Sequence, residues 1–199
     1  MKKHFSLFLF FALNFYFSQQ TESLRIIKAK YDIQIQNIEN SYADALTKAS
    51  LRKRTKIGLK KNSEISALKL KRNLEYEKEL EKIQSVYHIS DSNLTAPKDE
   101  RFVMPEYPDG IDAFKKEIAN NFNAGSEVTQ EKGTLQSIVI FIIEKDGSIL
   151  TAKGFGENPT FNRHAEIAVL LTKKKWQPAT KDGIPQRARL RVPFTLNFE

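Results

Sequence analysis

Few residues in this chain are placed for bond-making chemistry. The three histidines are His4 in the apolar N-terminal run, His88 after a long helical pattern, and His164 near a helix start. No two of them have metal-ligand spacing, and no zincin, phosphate-loop or nucleophile-elbow pattern occurs. With no cysteine, thiolate and disulfide chemistry are excluded. The carboxylates Glu106, Asp109 and Asp112 cluster, but a turn and a helix cap account for them. Gly154-Phe155-Gly156 is a lone glycine pair at a strand end. The expectation is therefore a protein that is not an enzyme and that needs neither cofactor nor metal. What remains is recognition chemistry. Arg187, Arg189 and Arg191 alternate along the last strand, and a basic stretch runs from Arg52 to Lys61. The 32 Lys and Arg against 24 Asp and Glu give a net charge of +8. Such charge, and the Arg52–Lys61 stretch within it, fits nucleic acid, anionic lipid head groups or an acidic partner; with no nucleic-acid fold motif beside it, solvated surface and nonspecific attraction come first and nucleic acid ranks low.

The element that positions the rest is Ser137–Leu150. Ile138 to Ile143 are consecutive apolar residues, the pattern of a strand buried on both faces at the centre of a sheet. Asp146-Gly147 predicts a tight hairpin turn with positive φ at both centres, and Ser148-Ile149-Leu150 starts the return strand. Before it, Asp109 caps a helix with Ile111, Phe114, Ile118 and Phe122 on one face, followed by a loop over Asn123–Thr134. After it, Asn158-Pro159-Thr160 opens a second helix, capped by Thr160 or Asn162. Phe161, Ala165, Ala168, Val169, Thr172 and Trp176 form its stripe, with Lys173–Lys175 at its C-terminal end. Trp176 is expected in the core, its indole N–H on a nearby carbonyl. Residues 181–185 read as a turn. In the last strand Ala188, Leu190, Val192, Phe194, Leu196 and Phe198 point one way and the arginines the other, and Pro193 marks an edge. The fold class is α+β: a three-stranded antiparallel sheet with two helices over 101–199.

Ahead of this domain, Phe5–Phe17 is an apolar run, shorter than the roughly 20 residues of a membrane span. It matches a secretory signal peptide over residues 1–18, cleaved near Ser18 or Gln19, or else an uncleaved anchor. Residues 21–90 carry a coiled-coil pattern through Leu24, Tyr31, Ile35, Ile38, Tyr42, Ala45 and Ala49, then Ile65, Leu68, Tyr76, Leu80, Ile83 and Tyr87. Gly58 lies between, so either one long helix or a hairpin turning near Gly58–Ser63 fits. Residues 91–100 read as a linker. An exposed edge strand must be protected or used, and capture of an extended acidic peptide beside the arginines is one use.

The C-terminal half resembles the TonB C-terminal domain. The shared residues are Pro105, Tyr107, Pro108 and Gly110; Glu144–Ile149 with Asp146 and Gly147; Glu166 and Ala168; Trp176 and Pro178; Gly183 and Pro185; and Pro193 with Phe198. Asn121-Phe122-Asn123-Ala124 stands where that family usually has a second Tyr-Pro. The resemblance implies a periplasmic protein that binds the TonB box peptide of outer-membrane receptors by strand addition, in energy-dependent transport. The peptide would lie beside the last strand, on Arg187, Arg189, Leu190, Arg191, Val192, Phe194 and Leu196. An anchored form would also engage inner-membrane motor proteins. The alternative is a periplasmic structural or adaptor protein that self-associates through its coil into a homo-oligomer. If the leader is a signal, the native protein lacks residues up to about Ser18 and leaves the membrane fraction. Its intact mass checks this, and a retained Met1 or Lys2 in inner membrane would make the run an anchor.

Overall fold

Ile138 to Ile143 do form the middle of a sheet, and the reason both faces are apolar lies partly outside the C-terminal domain as read from sequence. The computed structural model describes residues 5–89, 101–123 and 133–198, the linker 91–100 falling outside them. The elements are α1 (Phe5–Lys48), α2 (Leu51–Val86), β1 (Phe102–Val103), α3 (Gly110–Asn121), β2 (Gly133–Ile143), β3 (Ile149–Phe155), α4 (Pro159–Leu170), β4 (Ala179–Lys181), β5 (Ile184–Gln186) and β6 (Ala188–Phe198). Mixed helix and strand is thus the class, and the described residues form four helices and two three-stranded antiparallel sheets, β3-β2-β6 and β1-β4-β5. The chain divides into two compact units, Ser23–Glu79 and residues up to Glu22 together with Leu80–Glu199. Among the described residues no helix is long and apolar enough to cross a membrane.

In the first unit α1 and α2 run antiparallel. Ser23 donates to Glu79 (2.6 Å), Tyr31 to Glu75 (2.8 Å) and Tyr42 to Glu64 (2.7 Å), the partner numbers falling as α1 advances. The reversal is at Ala49–Ser50, and Gly58 sits inside α2 with open space around it. Two effects decide this. A helical glycine costs only about 1 kcal/mol against alanine, which long flanking helices absorb. And Arg54 donates to the carbonyls of Ala49 (2.9 Å) and Thr47 (3.0 Å), satisfying acceptors that the end of α1 would leave orphaned. The seam follows the expected steps except that Leu46 is half-buried and Ala45 exposed. Arg72 fills the gap between Leu68 and Tyr76. It is buried, 4.0 Å from Asp32 and with its guanidinium 5.7 Å from the Tyr76 ring centre. Burial pushes the Tyr76 hydroxyl up to about 12.

In the second unit β2 is central, pairing Val139 with Gly154 on β3 and with Val192 on β6. One face meets the helices: Phe141 lies 5.5 Å from Phe114 of α3, ring to ring. The other face carries Ile140, Ile142 and Leu150, covered by Ile89 with Tyr87 beside it. The residues directly after α2 therefore complete the core. Strand β2 begins at Gly133, inside the expected loop, with Gly133 opposite Phe198.

The two Asp-Gly dipeptides have different geometries. At 146–147 only Gly147 has positive φ (80°), and a bulge between Ile142 and Ile143 precedes the turn. At 182–183 both residues are left-handed (φ 51° and 76°), and β4 and β5 pair directly across them. The two-centre turn is thus in the segment read as a plain turn, because a two-residue loop demands it and a bulged hairpin does not. Helix caps also differ from expectation. Asp109 is itself left-handed and makes no side-chain cap bond; its carboxylate takes Lys174 at 2.6 Å. Asn158, not Thr160 or Asn162, caps α4 by accepting from the Phe161 N–H (2.8 Å), with Pro159 in the first turn. Helix α4 stops at Leu170, so Lys173–Lys175 lie beyond its last turn. Ile111 is exposed rather than on the buried stripe of α3.

A Cβ on Gly147 would sit 1.9 Å from the Trp176 carbonyl oxygen, while one on Gly183 meets nothing within 4 Å. Both have left-handed φ, so Gly183→Ala is expected to cost about 1 kcal/mol and Gly147→Ala about 3 kcal/mol or more. Urea unfolding midpoints of the two variants check the difference.

Candidate functional site

The main sheet has two edges, and they are treated differently. On β3 two of the outward groups are taken by side chains. Gln84 of α2 donates to the Ala152 carbonyl (2.8 Å), and Glu166 of α4 accepts from the Gly154 N–H (2.6 Å). Gln84 also donates to the second Glu166 oxygen (2.7 Å), and Lys153 donates to Gln84 (3.3 Å) and stands 3.6 Å from Glu166. Edge, helix and helix end are tied by one buried carboxylate. Burial raises the pKa of Glu166, against the bond from Gly154 and the charge of Lys153.

That arrangement fixes which way β6 faces. Ala152 and Gly154 turn their backbone groups away from β2, so in an antiparallel ladder their partners Phe141 and Val139 turn theirs towards β6. Leu190 and Val192, opposite them, bond to β2. Arg189, Arg191, Pro193, Thr195 and Asn197 present theirs outward. Pro193 thus lacks an N–H that β2 does not use, which is why it is tolerated. Among the described residues no strand pairs with this outer edge.

The alternation of β6 is as expected. Val192 is buried and Phe194 and Leu196 half-buried on one side, while Arg191, Thr195 and Asn197 are exposed on the other. Beside the outer half of the strand lies a groove of about 390 Å³ between β6 and α3. Val192, Phe194 and Leu196 form one wall, Ile118, Phe122 and Phe161 the other, and Lys115 stands with them. Ile118, Phe122, Phe161 and Lys115 were not singled out as binding residues from sequence. The signal was present in the α3 stripe, whose last member Phe122 is half-exposed and leans edge-on against Phe161 at 5.5 Å. Leu190 is not part of the groove; it stands opposite Phe141.

The arginines are not equivalent. Arg187 precedes β6, forms a 2.5 Å ion pair with Glu144 and lies 5.6 Å from the Tyr87 ring centre. Arg189 is half-buried and also engaged. Arg191 is exposed, with no hydrogen bond or ion pair among the described residues. An acidic ligand at this edge would meet one available cation from β6, not three.

The motif residues converge elsewhere, at the turn end of the sheet. Tyr107, Phe114, Phe141 and Trp176 pack ring against ring at 4.8–5.8 Å. The Trp176 backbone N–H donates to the Gly147 carbonyl (2.9 Å), and Glu106 and Gln177 exchange backbone bonds (3.1 and 2.8 Å). This threads Pro105–Pro108 against Trp176-Gln177-Pro178. Gly110, with φ 84°, donates to the Tyr107 carbonyl (2.8 Å) and turns the chain into α3. Tyr107 donates to Glu117, whose other oxygen takes the Lys173 N–H (2.6 Å). Burial, then Glu117, holds the Tyr107 hydroxyl far above its usual range. Burial opposes ionisation of Asp146, but hydrogen bonds from Lys175 (2.7 Å) and Ser148 outweigh it and keep its pKa low. Trp176 is in the core as expected, but among the described residues its indole N–H has no partner, and the rings of Tyr107 and Phe114 pack against it. Among the described residues no three carboxylates or histidines are grouped to hold a metal. Comparison with protein-family models, curated proteins and solved structures gives no match.

Glu166 binds its proton more readily folded than unfolded, so its contribution to stability falls as pH rises from the ordinary value of 4.5 through the raised one. Glu166→Gln keeps an acceptor for Gly154 and removes that titration. The stability of the wild type relative to this variant is expected to decline from pH 4 to pH 7, read from urea midpoints.

Proposed function

We propose that residues 101–199, together with the segment after α2, form a TonB C-terminal-like module that binds an extended receptor peptide as a strand added to β6. The observation that carries the reading is the contrast between the edges. The β3 edge is covered by Gln84 and Glu166, whereas the described β6 edge is unpaired and flanked by an apolar groove. Main-chain bonds to Arg189, Arg191, Thr195 and Asn197 would give affinity, and alternate side chains of the guest would enter the groove. The chemistry that suits it is an extended segment with apolar residues at every second position and an acidic group near Arg191. The TonB box of an outer-membrane receptor is the partner implied by the resemblance, with the protein exported to the periplasm. The helical hairpin serves as the spacer in place of a proline-rich one.

The Arg191 N–H points outward and the Val192 N–H bonds β2, so two neighbouring prolines separate binding from folding. Arg191→Pro removes one edge donor and is expected to weaken binding of a synthetic TonB-box peptide about tenfold while the fold persists. Val192→Pro breaks the ladder and is expected to destabilise the domain. Titration calorimetry on the full chain measures the first, and unchanged affinity of Arg191→Pro would eliminate strand addition at β6.

A further inference from the structure

The excess positive charge of this chain is concentrated. Between Asp44 and Lys61 there are seven Lys and Arg residues against the single carboxylate of Asp44, so six of the eight net positive charges lie in that stretch. Because the chain reverses at Ala49–Ser50, this stretch is the turning end of the helical hairpin rather than the middle of a rod. Arg54 is used internally, on the carbonyls of Thr47 and Ala49. Lys48, Arg52, Lys53, Lys56, Lys60 and Lys61 have no hydrogen bond or ion pair among the described residues. Elsewhere on the hairpin Lys28 pairs with Asp32 at 2.5 Å and Lys30 with Glu75 at 2.7 Å, and the remaining cations without such a partner, Lys69, Lys71 and Lys78, are spread along α2 rather than gathered at one end.

The end also carries apolar side chains in water. Leu51, the first residue of α2, is 83% exposed and Leu59 is 68% exposed. Eight residues apart, they lie on one side of the helix with Arg52 and Lys56 along its border. Duplex nucleic acid would use the cations but has no place for two leucines. An anionic bilayer surface uses both, with lipid phosphates at the cations and leucines in the boundary between head groups and acyl chains. The geometry points to the hairpin end, Lys48–Lys61, as a docking surface for membranes rich in anionic phospholipid. This does not depend on peptide binding at β6.

The test is co-sedimentation of the full chain with vesicles of phosphatidylcholine alone or equimolar with phosphatidylglycerol. Wild type is expected to bind the anionic vesicles at least tenfold more tightly, less so as salt rises. Removing one cation weakens this about fivefold. The triple reversal Arg52→Glu, Lys53→Glu, Lys56→Glu brings binding to the level of neutral vesicles, and Leu51→Ser lowers it several-fold. All variants keep the same N-terminal run, so its own lipid affinity cancels, and far-UV circular dichroism checks that the helices persist. Equal binding to both vesicles, or an unaffected triple variant, overturns the assignment. Unchanged binding of Leu51→Ser reduces it to charge attraction and overturns insertion. Binding of a DNA duplex that the triple reversal abolishes, without vesicle binding, assigns the surface to nucleic acid instead.

Discussion

Covering β2 on both sides is the constraint on which the second unit depends. A strand that is apolar at Ile138 through Ile143 cannot face water on either side. The helices α3 and α4 take one face through Phe114 and Phe161. The other is closed by Tyr87 and Ile89, which arrive with the end of α2. Burial of a large aliphatic side chain is worth about 1.5–3 kcal/mol. Uncovering Ile140, Ile142 and Leu150 together would therefore remove a large share of the stability of a small domain. The second unit accordingly begins upstream of residues 91–100, and the last turns of α2, from Leu80, are part of its structure.

The same contact decides which edge of the sheet is open. Gln84 lies one turn before Tyr87, so the helix end that covers the second face also delivers an amide to β3. There it meets Glu166, a carboxylate kept inside because three donors or cations converge on it. Leaving such a group buried with fewer partners is expensive. An incoming strand at β3 would have to displace those bonds. At β6 no strand among the described residues pairs with the outer edge, and Pro193 limits how continuous a partner can pair there, which tempers pairing between two copies.

Local pattern was a good guide where one face or one period dominates. The central strand, the alternating β6 with its proline at an edge, and the heptad steps of the hairpin were all readable. What escaped were features set by tertiary geometry. The reversal at Ala49–Ser50 depends on Arg54 reaching back over the end of α1, and glycine at 58 was the louder but weaker signal. Strands β1, β4 and β5 are two or three residues long and carry no period. The groove combines α3, α4 and β6, distant in sequence, and only its β6 wall had been identified. Arg187 and Arg189 alternate correctly with the core residues, yet alternation does not reveal that Glu144 and Tyr87 engage Arg187.

Apart from Pro193 and Phe198 in β6, the residues that carry the resemblance and the residues that would touch a peptide are different sets. Pro105, Tyr107, Pro108, Gly110, Asp146, Gly147, Trp176 and Pro178 meet at the turn end of the sheet. There a left-handed glycine, a wedge of four aromatic rings and an exchange of backbone bonds hold the hairpin against the chain entering α3. Such residues are demanded by packing and backbone conformation, so they speak for architecture. Phe122, Phe194, Leu196 and Arg191, at the open edge and partly or fully exposed, are under less geometric demand. Ligand preference would be tuned there without disturbing the fold. A likeness resting on the first set can therefore argue for how the sheet is assembled, while the partner it accepts is decided by the second.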